Sequence, residues 1–413
     1  MTLWSDLSTG QRIKSMRGKD TTQARLAEMT GLALITVQKA EQDRALTLPT
    51  LLAISNALDT QPGVLLGHQE PEQQLHKADR AMMRALSRAV HDTAAGILPH
   101  TDEEPPTCEE LHAAVTGCWE LYWAGRYDAA GAMVGPLLSS AAARLHAQPV
   151  GVQAEAAGLL SDAYRIAAYT ANLLGARDLA YAAIGHAHVV AERASDDLRV
   201  ALVGSGRAWV YLRDARLPEA LALAEKAAND IEPRFSTATP VQLTVYGSHV
   251  NFAAVVASRM GNEVRAADFL SQSNATGARM GEEVRAHGTL FGPVSAVTQA
   301  VGINVALGQT GKALTLIKSI HDVGPLTEAA QNRYAMDKAM ALADAKLWDD
   351  SLDTLEKTLR AAPDWARHQA LPRVIADKVG AASTAKLRRV AKLISPRGGY
   401  AAGFLPATEK TAL

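Results

Sequence analysis

The stretch TQARLAEMTGL, at residues 22–32, decides the fold of the N-terminal part of this 413-residue chain. It is followed by ALITVQKAEQ at residues 33–42, which has the length of a short helix. Two helices that cross steeply need a small residue in the first helix and a tight turn between them. Ala27 is that small residue, and Gly31 tolerates the left-handed backbone of the turn. The stretch therefore predicts a helix-turn-helix.

The flanking sequence completes a small helical domain. Thr22 and Thr47 stand where each can cap the helix that follows, and Pro49 fits the first turn of the later helix. Further helices are predicted over residues 10–17 and 62–66. The expected core contains the apolar residues Ile13, Met16, Leu26, Leu32, Val37 and Ala40.

On these residues, positions 8–67 resemble the lambda Cro/repressor-like (xenobiotic-response-element) helix-turn-helix family. The resemblance implies that Gln23, which opens the second helix, holds a DNA phosphate. It also implies a recognition helix over residues 33–42 that enters the major groove. The DNA-binding residues expected from it are Thr22, Gln23, Leu34, Ile35, Gln38, Lys39 and Arg44.

The recognition helix departs from the family because it begins with apolar residues, Ala33, Leu34 and Ile35. Apolar side chains can read only thymine methyl groups, whereas Gln38 can pair with an adenine edge. Either the DNA site is rich in thymine, or this head has shifted toward protein contacts. Residues 1–67 carry a net charge of only +1, so one head should bind DNA weakly. Two heads on a dimer would bind more tightly.

Composition predicts an all-α protein. The chain is 48% hydrophobic but only 5% aromatic and uses alanine heavily, and no alternating strand pattern is evident. A net charge of −1 implies no general polyelectrolyte partner. No signal peptide or long apolar run appears, so we expect a cytoplasmic protein without a membrane segment. Cys108 and Cys118 are expected to be reduced thiols.

A local pattern recurs along residues 107–363, where a turn residue is followed five positions later by a small residue. A small or medium apolar residue also stands twelve positions before each of these small residues, which is typical of stacked helical hairpins. The six pairs are Gly125 and Ala130, Gly175 and Ala180, Ala215 and Ala220, Gly261 and Ala266, Gly308 and Ala313, and Lys346 and Ser351.

The pattern resembles tetratricopeptide repeats and implies a right-handed solenoid of helical hairpins. The expected domains are a five-helix head at 1–67, a connector helix and linker at 68–106, a repeat domain for ligand and dimer contacts at 107–395, and a loose tail at 396–413. The first helix of each hairpin would line a groove.

Polar and aromatic residues gather on the predicted groove side of the first four hairpins, with Trp119, Tyr122 and Trp123 in the first. Arginine can clamp a carboxylate, asparagine can hold a peptide backbone, and aromatic rings can form a rigid wall. The alternative is that the aromatic residues pack between hairpins and the polar ones form an ordinary solvated face. The predicted ligand residues are Arg165, Tyr169, Asn172, Trp209, Arg213, Asn251 and Arg259.

The sequence predicts no catalytic residue, no metal site and no cofactor. The segment ALGQTGKA at residues 306–313 mimics a phosphate-binding loop, but it lacks the first glycine and the Ser or Thr that would hold magnesium. The repeat register explains it as a turn between helices, so the chain is not expected to be an enzyme.

The combination of a Cro-like head and a tetratricopeptide-like array resembles bacterial sensor-regulators, including the peptide-responsive quorum-sensing regulators of Gram-positive bacteria. The resemblance implies a homodimer that binds double-stranded operator DNA. It also implies gating by a peptide, a small autoregulator or a partner protein in the groove. The alternative hypothesis is a protein-interaction scaffold whose head no longer reads DNA specifically.

Overall fold

The fold is almost entirely helical in the computed structural model, as the composition predicted. The chain divides into two units, one comprising residues 1–75, 300–321 and 331–413, and the other residues 76–299 and 322–330. No helix in the described ranges is both long enough and apolar enough to cross a lipid bilayer. The structure describes residues 4–18, 21–44, 46–58, 60, 62–67, 77–98, 104–380 and 385–394.

The head has the predicted five helices, and local capping explains where three of them begin. The hydroxyl of Ser8 accepts from the backbone of Gln11, and Thr22 and Thr47 cap the helices after them in the same way. Gly31 ends the second helix with a φ of 67°, the left-handed conformation that the turn requires. The helices are α1 (Thr9–Arg17), α2 (Gln23–Thr30), α3 (Leu34–Glu41), α4 (Leu48–Ala57) and α5 (Pro62–Leu65).

The head encloses a small core that contains most of the predicted residues. Ile13, Leu26 and Val37 are fully buried, and Ala40 is nearly so. Met16 and Leu32 are only half-buried and lie at its margin. Helices α1 and α3 pack closely because Gly10 has no side chain, and a Cβ there would lie 2.4 Å from the carbonyl oxygen of Glu41.

The helix before the array, α6 (Lys77–Ala94), packs on the helices that follow it. The Oγ1 atom of Thr93 lies 2.8 Å from the hydroxyl of Tyr164, and both side chains are buried there. The sequence predicted a connector helix within residues 68–106. Residues 68–76, 99–103 and 395–413, which include most of the predicted linker and the tail, lie outside the described residues.

Six helical hairpins follow within the described residues. The first four are α7 (Cys108–Trp123) with α8 (Tyr127–Ala147), α9 (Ala154–Leu173) with α10 (Arg177–Ala191), α11 (Asp197–Arg213) with α12 (Leu217–Asp230), and α13 (Pro240–Arg259) with α14 (Glu263–Met280). The last two are α15 (Pro293–Ala306) with α16 (Thr310–Ser319), and α17 (Glu328–Asp344) with α18 (Trp348–Ala361). The closing helices are α19 (Pro363–Ala366), α20 (Leu371–Val379) and α21 (Ala385–Ile394).

The turn residues and the crossing residues of the predicted hairpins have the expected conformation and burial. All six turn residues have a positive φ, between 58° and 81°, which reverses the chain between the paired helices. All six small residues and their six partners twelve positions earlier have 0% exposure, because the two helices of each hairpin cross there. Two side chains bridge these crossings: Cys118 Sγ donates to the carbonyl of Ala130 at 3.6 Å, and Ser351 Oγ to that of Ala339 at 2.7 Å.

A two-stranded antiparallel sheet between α14 and α15 was not predicted. Its strands are β1 (Val284–Ala286) and β2 (Thr289–Phe291), each too short to show an alternating pattern. His287 and Gly288, with φ values of 47° and 73°, form the two-residue loop between them. Positive φ at both loop residues matches the right-handed twist of paired strands. We call residues 284–291 the β-hairpin and its loop the tip.

The base of the β-hairpin is fixed to the helices on either side. Both strands pack against α13, and Phe291 is fully buried where Gly247 leaves room for its ring. The carboxylate of Glu283 accepts from the backbone amides of Val294 and Ser295 at 2.8 and 3.0 Å, and so caps the start of α15. The β-hairpin is therefore anchored at its base, and its tip is the part farthest along the chain from these anchors.

Candidate DNA-binding surface and ligand face

The recognition helix α3 presents the predicted DNA-reading residues to solvent. Leu34 and Ile35 are 42% and 56% exposed, which is high for large apolar side chains. Lys39 is also exposed, and Gln38 is half-buried on the same helix. Ala33 provides no side-chain cap, so α3 begins with free backbone donors. The first turn of α3 therefore offers apolar side chains and backbone amides together.

A buried carboxylate holds the start of α2 against α1 and α3. Glu41 accepts from Arg17 Nε at 2.6 Å and from Gln23 Nε2 at 2.7 Å. A glutamine amide has two N–H donors, so one donor of Gln23 remains for a phosphate oxygen. The sequence reasoning missed Glu41, although its polar side chain on the buried side of α3 was a visible signal. Glu41 thus fixes the side chain that the family resemblance assigns to the DNA backbone.

The other predicted head residues lie at the edges of this surface. Thr22 is exposed, and its hydroxyl oxygen accepts from the backbone of Arg25 at 3.1 Å, so it serves as the cap of α2. Arg44 is exposed just after α3. Asp43, which precedes Arg44, accepts from the backbone amide of Gly10 at 2.6 Å and from the hydroxyl of Ser8. That contact ties the end of α3 to the start of α1.

A second candidate surface is formed by the first helices of the hairpins in the unit that contains residues 76–299. Helices α7, α9, α11 and α13 pack side by side in that order, and we call their common side the ligand face. Tyr169 stands at its centre, with ring centroids 5.5 Å from Trp119 and 4.9 Å from Trp209. Tyr122 and Trp123 extend the aromatic cluster along α7. Four of these five rings come from positions that the register placed on the groove side of the first two hairpins.

Two arginines lie over this aromatic cluster. The guanidinium carbon of Arg165 is 4.7 Å from the ring centroid of Trp119, and that of Arg213 is 5.7 Å from the ring centroid of Trp209. Both arrangements are cation–π contacts. Burial raises the pKa of Tyr122 well above its usual value, with smaller effects from neighbouring tyrosines and from Arg213, so this phenol stays protonated.

Arg165 is only 2% exposed and belongs to a buried charge network. The carboxylate of Asp162 lies 3.2 Å from Arg165 Nη2 and 3.1 Å from Arg199 Nε. Arg199 also pairs with Asp196 at 3.1 Å, so two positive and two negative groups balance. Gly158 makes room for Arg199, because a Cβ there would lie 2.6 Å from the guanidinium. The network holds Arg165 in one orientation.

The structure brings four of the seven predicted ligand residues into one cluster: Arg165, Tyr169, Trp209 and Arg213. Asn251 instead accepts from the hydroxyl of Ser273 at 3.2 Å, between α13 and α14. Arg259 is half-buried at the end of α13. Asn172 is 6% exposed, and its Nδ2 atom has no hydrogen-bond partner in the described structure.

The tip of the β-hairpin lies on the ligand face. Trp123 Nε1 donates to the carbonyl oxygen of Gly288 at 2.7 Å, and Arg165 Nη2 donates to that of His287. A Cβ on Gly288 would lie 2.5 Å from the indole of Trp119, so the backbone touches the ring. The tip covers aromatic residues that the sequence placed in an open groove, and this explains why Trp119 is only 4% exposed.

Comparison with known proteins identifies the head. No curated protein and no solved structure matches the chain. The family model of the Cro/C1-type helix-turn-helix DNA-binding domain matches residues 13–71, the region where the sequence resemblance was found. The match confirms the Cro/repressor-like head and supports a DNA-binding transcription regulator.

Proposed function

We propose that this chain is a bacterial transcription regulator that binds operator DNA as a homodimer through its heads, and that a ligand on the ligand face gates this binding. The observation that carries the proposal is the head, a Cro/C1-type domain whose recognition helix is exposed and whose Gln23 side chain is hydrogen-bonded to Glu41. The ligand is a peptide, a small autoregulator or a partner protein.

The surface chemistry of α3 suggests how the head would read DNA. Leu34 and Ile35 would contact thymine methyl groups, and Gln38 would pair with the edge of an adenine. Lys39 and Arg44 would neutralise phosphates, while the second amide donor of Gln23 would hold another. Few charges take part, so the affinity of one head is low and a dimer is needed.

Footprinting on the DNA upstream of the protein's own gene tests DNA binding. Gln38→Ala should cost about 1–3 kcal/mol and relax the base preference at one position in each half-site. Lys39→Ala should weaken binding to all sequences and lower the slope of log affinity against log salt by about one per head. Lys226→Ala, which removes an exposed charge on α12, should leave both quantities unchanged. No footprint at low salt with micromolar protein would reject the proposal.

The competing function is a protein-interaction scaffold, which the exposed Leu34 and Ile35 favour. A double variant, Gln23→Ala with Gln38→Ala, separates the two functions. A scaffold would keep its cellular role in this variant, whereas a DNA-reading regulator would lose control of its target gene. Dimerisation is tested by light scattering, and a monomer at tens of micromolar would contradict the dimeric form.

A further inference from the structure

The contacts at the tip of the β-hairpin have the form of ligand recognition. Two side-chain donors from two helices, Trp123 on α7 and Arg165 on α9, bind the carbonyl oxygens of two consecutive residues, Gly288 and His287. Both contacts are made to backbone, so they require a turn of the right shape and not particular side chains. Arg165 is held for this contact by Asp162, since an arginine paired on one side keeps a fixed orientation.

The ligand face also selects for glycine at the tip. Gly288 has a φ of 73°, and its Cα carries only a hydrogen toward the indole of Trp119, where a Cβ would lie only 2.5 Å from the ring. A turn with any other residue at this position would meet both backbone strain and a steric clash. Shape and donor positions together therefore define a receptor for a glycine-containing turn.

The tip leaves part of this receptor unsatisfied. Trp119 Nε1 and Arg165 Nε are buried and have no acceptor within the described parts of the chain. Each buried donor without an acceptor disfavours the docked arrangement, because that group has lost its water. A second occupant that offered acceptor oxygens to these atoms would make two hydrogen bonds that the docked tip does not make.

The tip is also the part of the β-hairpin that can leave. Its strands have three residues each, and a hairpin of that length has little stability of its own. The base stays attached through Phe291 against α13 and through Glu283 at the start of α15. Opening the tip therefore breaks two side-chain-to-backbone hydrogen bonds and uncovers the aromatic cluster, while the helices keep their places.

We propose that the tip is a built-in competitor for the ligand face, and that the external ligand is a short peptide whose glycine-containing turn replaces it. This inference rests on the proposed function only in naming a ligand for the same face. The apparent affinity for such a peptide is reduced by the fraction of molecules in which the tip is docked. A chain with its tip expelled should bind the peptide more tightly than the unaltered chain.

The experiment uses the full chain and its own β-hairpin as the probe. The probe is a labelled, capped peptide with the sequence EVRAHGTLFG, residues 283–292, and its binding is followed by fluorescence anisotropy. Gly288→Ala in the protein expels the tip by the clash with Trp119. Gly261→Ala is the matched control, because its φ is 71° but nothing lies within 4 Å of the added Cβ.

We expect the Gly288→Ala protein to bind the peptide at least about ten-fold more tightly than the unaltered and Gly261→Ala proteins. A peptide with alanine at Gly288 should not bind. In the same samples, backbone amides of residues 284–291 should exchange hydrogen faster in the Gly288→Ala protein. Trp123→Phe keeps a ring but removes one donor, so it should also speed this exchange even if Gly288→Ala folds poorly.

Equal peptide affinity for all three proteins would overturn the proposal, and so would unchanged exchange at the tip in both Gly288→Ala and Trp123→Phe. No step of this experiment involves DNA. Peptide binding without any operator footprint would reject the gated regulator while retaining the receptor. A footprint with no effect of Gly288→Ala on peptide binding would reject the receptor alone.

Discussion

Replacing Glu41 with alanine should destabilise the head far more than replacing any exposed glutamate there. The Glu41 carboxylate is 3% exposed and lies 2.6 Å from Nε of Arg17, whose side chain is 11% exposed. Removing one partner of a buried pair leaves the other charge uncompensated, which costs about 3–5 kcal/mol. Arg17 would keep the carbonyl oxygens of Gly18 and Thr21 as acceptors, so we expect the lower part of that range, about 3–4 kcal/mol.

Glu28→Ala is the matched control for this change. Arg25 and Glu28 are also 2.6 Å apart, but their side chains are 62% and 70% exposed. A pair so well solvated contributes little, and its loss should cost less than about 0.5 kcal/mol. The two variants thus compare the same residue types at the same distance and differ in burial.

Hydrogen exchange of the α1, α2 and α3 amides in the full chain measures the local unfolding free energy of the head. A domain of this size has only a few kcal/mol of stability, so Glu41→Ala should leave these amides with almost no protection. It should also abolish operator binding, because Gln23 loses its support. Equal protection in the Glu41→Ala and Glu28→Ala proteins would refute the role given to burial.

Three further results are expected. Lys346 holds a φ of 61° at a turn, so Lys346→Gly should raise the free energy of unfolding by about 0.5–1 kcal/mol in urea titrations, and a decrease would contradict the strain argument. Burial raises the pKa of Cys118 to about 12, so iodoacetamide at pH 8 should modify Cys108 and spare Cys118, as read by mass spectrometry. Burial, and then Arg199, lower the pKa of His287 below its usual 6.5. His287 takes up a proton more readily when the tip is free than when it is docked, so docking should be fully retained above pH 6.5 and weaken as the pH falls below it. Hydrogen exchange of the backbone amides at the tip measures this effect. An exchange rate that does not change with pH, after correction for intrinsic rates, would contradict it.

Local rules in the sequence were sufficient to predict the helices and their crossings. Gly31 and the hairpin turn residues indicate a left-handed backbone conformation. Ala130 and the matching small residues of the other hairpins indicate that two helices lie close together. Both signals act over short distances along the chain. The head was further defined because Ala27 and Gly31 follow the spacing of a family with a well-marked pattern.

The covering of the ligand face could not be predicted in this way. Trp123 and Gly288 are 165 positions apart, and their contact depends on the summed geometry of several hairpins. The two short strands carry no periodic signal, and a His–Gly loop is a weak marker of a turn. The register also did not predict every side-chain direction, since Asn251 accepts a hydrogen bond from Ser273 on α14 and does not join the aromatic cluster.

Helix α15 follows the β-hairpin and contains residues of both units. Its first turn is capped by Glu283, at the foot of the β-hairpin, and belongs to the unit with residues 76–299. Its last two turns, from residue 300, belong to the other unit, where Gly302 lies close against Asp337 on α17. Residues of both units therefore belong to one continuous hydrogen-bonded helix, and no loop separates residue 299 from residue 300.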